Sequence, residues 1–138
     1  MSRRSRAREV VLQVLYRCDL NPDRDVIADT HFLHTRLHRN QELIEFANSL
    51  LFGVLRNRDE LDAMLAERAA NWSLERMAVT DRNVLRMGAY EIIYSDTPGP
   101  VAINEAVELA RRFGTAHSSQ FVNGILDRFL QEWDASKK

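Results

Sequence analysis

Apolar residues recur along this chain at spacings of three and four almost from end to end, the period of amphipathic helices. Val10, Val11, Val14, Leu15 and Cys18 share one face and predict a first helix over about 5–20. Asn21-Pro22-Asp23 ends it, because proline has no N–H and blocks the next turn. A less regular set, Ile27, Phe32, Leu33 and Leu37, predicts a second helix over about 26–38. Leu43, Ile44, Ala47, Leu50, Leu51, Val54 and Leu55 give a third. Leu61 and Leu65 carry the period past a joint around 56–59.

Asn71-Trp72-Ser73 marks a boundary. Ser73 is placed to cap a short turn over 74–77, and Thr80 to cap a helix from Asp81, whose carboxylate suits the positive end of the helix dipole. Val84, Leu85, Gly88 and Ile92 form that helix's buried stripe. Asp96-Thr97-Pro98-Gly99-Pro100 breaks the chain, and Ala102, Ala106, Leu109, Ala110 and Phe113 carry a further helix. It ends in Arg111-Arg112-Phe113-Gly114, with cations in the last turn and glycine just beyond. Val122, Ile125, Leu126, Phe129 and Trp133 predict the last helix, over about 118–133. No segment alternates as a strand does. The expected fold is all-α, with about seven helices in one domain over 1–138 and halves at 1–57 and 58–138. Gly53, Gly88 and Gly124 fall inside helices, where each costs about 1 kcal/mol relative to alanine. Close helix–helix approach is the expected reason.

A composition of 45% hydrophobic and 28% charged residues is that of an ordinary globular domain. One cysteine, Cys18, excludes an internal disulfide and a multi-cysteine zinc site. No apolar run approaches the ~18 residues of a membrane span, and the cationic start leads to no signal-peptide cleavage site. The chain is expected to be soluble and cytoplasmic, with no membrane partner.

Charge changes the picture more. Arg3, Arg4, Arg6 and Arg8 fall in the first eight residues, which hold no acid; the remainder has 15 bases against 20 acids, a net −5. A basic arm at 1–8 on an acidic body is the footprint of a polyanion-binding element.

Catalytic chemistry has no foothold. Phosphate-binding glycine loops, nucleophile elbows and metalloprotease motifs are absent, and Cys18 sits on an apolar face where cysteine is an inert small hydrophobe. His31, His34 and His38 would line one side of a continuous helix with Glu42 nearby, but a solvated polar face is the better reading. No metal, cofactor or enzymatic activity is expected. Ser118-Ser119-Gln120-Phe121-Val122-Asn123 opens the last helix, where free N–H groups, hydroxyls and an aromatic ring suit a nucleotide. Taken alone, a serine cap with Phe121 in the core explains the segment better. The arginine arm tips the balance toward single-stranded RNA.

Arg3-Arg4-Ser5-Arg6-Ala7-Arg8-Glu9 followed by Leu12-Gln13-Val14-Leu15-Tyr16 resembles the opening of the NusB transcription antitermination factors. So do Val84-Leu85-Arg86 through Tyr90-Glu91, Val101-Ala102-Ile103-Asn104-Glu105-Ala106, and Phe113-Gly114 followed by Phe121-Val122-Asn123-Gly124-Ile125-Leu126-Asp127. The resemblance implies seven helices in two small bundles. It also implies binding of the boxA segment of nascent RNA together with NusE, a small-subunit ribosomal protein, within the RNA polymerase antitermination complex on ribosomal RNA operons. The implied RNA surface is Arg3, Arg4, Arg6 and Arg8, the neighbouring polar face of the first helix, and Gln120 with Phe121. The implied partner surface includes Asp81. Many relatives have lysine where this chain has Gln120. Arg86, Glu91, Asn104 and Glu105 match the family and read as scaffold. Two alternatives are weaker: the NusB-like domain of an RNA cytosine methyltransferase, which needs a glycine-rich cofactor loop and catalytic cysteines, and a pure protein-interaction scaffold.

Overall fold

The computed structural model describes residues 3–69 and 73–137. Among them are seven α-helices and one 3₁₀ turn, with no strand: α1 (Arg3–Leu20), α2 (Val26–Arg36), α3 (Gln41–Arg56), α4 (Arg58–Arg68), the turn Leu74–Arg76, α5 (Val79–Tyr94), α6 (Gly99–Phe113) and α7 (Ser118–Ser136). The boundary expected at Asn71-Trp72 lies outside the described residues, as do residues 1 and 2 of the arm.

Local chemistry sets several helix ends. α1 stops before Asn21-Pro22, and Asn40 caps α3 by accepting the Leu43 N–H at 3.2 Å. Asn57 is the whole joint between α3 and α4; its side-chain amide donates to the Gly53 carbonyl at 2.7 Å. Three cap assignments are corrected. Ser73 makes no side-chain cap bond. Thr80 lies inside α5, which begins at Val79 because the Arg82 N–H already bonds the Ala78 carbonyl. Ser118 closes the α6–α7 loop instead of capping α7, accepting the Thr115 N–H at 2.8 Å.

α5 is the central element. Asn83 through Ala89 are all buried, so it has no solvent-facing side over two turns. It packs against α1, α3, α4, α6 and α7, while α1, α2 and α3 also pack on one another. Val10, Val11, Val14, Leu33, Val54, Leu65, Val84, Leu85, Leu126 and Phe129 are among the core residues.

Two of the three helix glycines fit the close-approach reading. A Cβ on Gly53 would enter the Tyr90 ring, and one on Gly88 would meet Leu126 Cδ1 at 2.5 Å. Gly124 does not fit: it is exposed, and a Cβ there would find nothing within 4 Å.

A polar cluster ties the far end of α1 to α4 and α5. Asp19 accepts hydrogen bonds from Arg82 Nε (2.7 Å), Asn83 Nδ2 (2.9 Å), Arg86 Nη1 and Arg58 Nη2 (both 3.1 Å). Arg86 also donates twice to Asp62, at 2.7 and 2.9 Å. Burial works against the charge on Asp19, but its arginine and asparagine donors outweigh that and hold its carboxyl below the ordinary range.

Candidate nucleic-acid interface

α1 is helical from Arg3 onward, so the basic arm is the first two turns of a helix and each arginine has a fixed direction. Arg3, Arg4 and Arg6 are exposed. Arg8, which the resemblance groups with them on the implied RNA surface, is buried, being 4% exposed. Its Nε and Nη2 donate to Glu91 at 2.7 and 2.8 Å, and Nη1 donates to Glu105 at 2.9 Å. Burial disfavours the guanidinium charge, yet Glu91 and Glu105 outweigh it and raise the Arg8 pKa. Arg8 is thereby a buried bolt between α1, α5 and α6, with three of its five N–H donors on carboxylates.

The scaffold reading of Glu91, Glu105 and Arg86 agrees with these contacts. Asn104 departs from it, since its side chain is exposed.

Beside Arg8, the Ser5 hydroxyl bonds Glu105, and Arg112 Nη2 donates to Glu9 at 2.9 Å. Arg6 lies 3.9 Å from the other Glu9 oxygen. Arg112 is therefore an interhelical link as well as a cation at a helix end.

Arg3 and Arg4 line a cavity of about 770 Å³ with Glu42, Phe46, Tyr94 and Asp96. At the other end of α5, Phe121 and Asp81 line one pocket of about 350 Å³ with Arg76, Met77 and His117. The structure thus brings together two residues that the sequence assigned to separate surfaces. Gln120 is exposed next to Phe121, which is half-buried. The Oδ1 atom of Asp81 is buried and accepts no hydrogen bond among the described residues. The Arg3–Arg4 cavity and the Phe121 pocket thus lie toward opposite ends of α5, a helix roughly 24 Å long for its 16 residues.

The polar face of the first helix was expected as a surface, but none of its residues was singled out. Gln13, Tyr16 and Arg17 of α1 line a cavity of about 380 Å³ with Arg36, Thr80 and Phe113. Tyr16 is 42% exposed and Phe113 is 40% exposed. A signal existed for Tyr16, which falls with Gln13 outside the Val10, Val11, Val14, Leu15 stripe. Phe113 gave none, because it kept the apolar spacing of α6.

The histidines do not share a helix face. α2 ends at Arg36, and His38 turns away in the left-handed region at φ 53°. Burial first, and then the Asp29 charge, push the Cys18 thiol up, so it is held protonated. No helix among the described residues is long and apolar enough to cross a membrane.

The NusB family model matches residues 5–131. A transcription antitermination protein NusB from Symbiobacterium thermophilum is 46% identical, over 95% of this chain and 90% of its own length. The solved T. maritima NusB superposes with a TM-score of 0.84 at 36% identity, covering 96% of this chain and 92% of that one. A further chain, from a complex of the antitermination factors NusB and NusE with double-stranded RNA, shares the fold with a TM-score of 0.80 at 24% identity, covering 96% and 98%. A family match over nearly the whole chain, close sequence relatives and one shared helical architecture agree: this chain belongs to the NusB family of transcription antitermination proteins.

Proposed function

We propose that this chain binds boxA-type single-stranded RNA together with NusE, as a non-enzymatic adaptor for RNA polymerase on ribosomal RNA operons in the cytoplasm. The observation that carries the reading is the presentation of Arg3, Arg4 and Arg6, exposed on rigid helix turns of an otherwise acidic molecule. They supply the phosphate contacts, with Arg8 holding their helix in place. Gln120 and Phe121 receive bases at the far end, and Gln13, Tyr16 and Phe113 continue the surface between. Gln120 hydrogen-bonds without neutralising a phosphate, as a lysine there would. Asp81 faces the partner, its unpaired buried oxygen waiting for a donor.

The test is fluorescence anisotropy with a boxA-like strand and a scrambled control, with and without NusE, at two salt concentrations. Preferential binding that NusE tightens is the expected result. With three phosphate contacts, log K should fall with log salt at a slope of about −2, from ~0.7 per contact on a single strand. Equal weak binding to both strands, indifferent to NusE, would overturn the reading.

A further inference from the structure

Phe46 of α3 carries two arginines of α1 on its ring. The Arg4 guanidinium lies 4.6 Å from the ring centroid and that of Arg8 lies 5.0 Å from it. The four-residue spacing puts both on one side of α1. Their surroundings differ. Arg8 has three of its five N–H donors engaged by Glu91 and Glu105. Arg4 has no hydrogen-bond or ion-pair partner among the described residues, although Glu42, Glu45 and Asp96 line the same cavity. It rests on the ring instead.

A guanidinium is a flat cation: its face stacks on an aromatic ring while its N–H donors radiate in its own plane. Arg4 over Phe46 therefore meets the ring while its N–H donors stay available for an anion. The ring also limits the rotamers of a long side chain, freedom that a phosphate contact would otherwise remove.

We propose that Phe46 is a positioning residue for RNA binding, its ring holding the Arg4 guanidinium as a preset fork for a phosphate of the bound strand. The proposal rests on the RNA-binding reading above. Phe46 itself touches no RNA; it acts through Arg4. It also keeps Arg4 from turning toward the carboxylates on the cavity wall.

A double-mutant cycle with a boxA-like single strand tests this, using F46L, F46Y, R4A, R4K and F46L/R4A in the full chain. Circular dichroism and melting temperature report the fold of each variant. F46L should weaken binding about two- to five-fold, the strength of an exposed cation–π contact, and F46Y should restore it. In the R4A background F46L should have no further effect. R4K keeps the charge without the flat face, so it should lose about as much as F46L, and it carries the test if F46L folds poorly. An F46L loss that persists undiminished with R4A, or no loss in F46L and R4K, would overturn the proposal while leaving RNA binding intact. A wild-type chain without affinity for the strand would overturn the RNA-binding reading, and this one with it.

Discussion

The Arg8 guanidinium of α1 grips the Glu91 carboxylate of α5 through two parallel hydrogen bonds, at 2.7 and 2.8 Å, with Glu91 3% exposed. Removing one member of such a pair leaves the other buried and uncompensated. Arg8→Ala should therefore destabilise the fold by about 3–5 kcal/mol, measured by urea unfolding. A loss below about 1 kcal/mol would mean that water reaches Glu91 and the bolt is dispensable.

The exposed arginines should behave in the opposite way. Arg3→Ala and Arg6→Ala should each leave stability within about 0.5 kcal/mol, since neither is buried. Each should flatten the salt dependence of RNA affinity by about 0.7 of a log–log unit. Salt titrations of the two variants check this directly; an unchanged slope would remove that arginine from the phosphate contacts.

Asp19 makes the fold acid-sensitive in a defined window. Its folded-state carboxyl is held below the ordinary value, so its contribution is complete above an unfolded pKa of about 3.9 and is lost as the pH falls through the lower folded value. Asp19→Asn should be destabilising at neutral pH. The gap between wild type and variant should narrow progressively from about pH 4, where Asp19 of the unfolded chain takes up its proton, and close below the lower folded value. Chemical unfolding of both proteins across pH 2–7, on the order of ten points, would test it; a gap independent of pH would show that the arginines do not depend on the charge.

The helix glycines divide cleanly. Gly124→Ala meets open space and should stabilise by about 0.5–1 kcal/mol through helix propensity alone. Gly53→Ala drives a methyl into the Tyr90 ring, and overpacking of about 1–3 kcal/mol should exceed the propensity gain. Thermal melts of the two variants should shift in opposite directions.

The helices were legible because each buries a stripe with its own period, and Val10, Val11, Val14 and Leu15 are buried as their spacing demands. Thr80 misled because cap preference is a local signal, whereas the start of α5 is set by packing of the whole helix. The arm was legible as charge but not as geometry. Arg8 falls on the stripe that includes Val11, Leu12 and Leu15, so its burial was foreshadowed, but its partners Glu91 and Glu105 are more than 80 residues away in sequence. The meeting of Asp81 with Phe121 needs α5 and α7 laid side by side, which no spacing within either helix encodes.

The bolt at Arg8 decides where this protein can be cut. Deleting residues 1–8 is the obvious way to strip the cationic end, but the eighth residue belongs to the interior and the third, fourth and sixth do not. A chain lacking all eight would lose RNA affinity through a loosened junction of α1, α5 and α6, and would mimic the loss of phosphate contacts. Replacing Arg3, Arg4 and Arg6 together by alanine separates the two causes, because it discards the three outward cations and keeps the anchor.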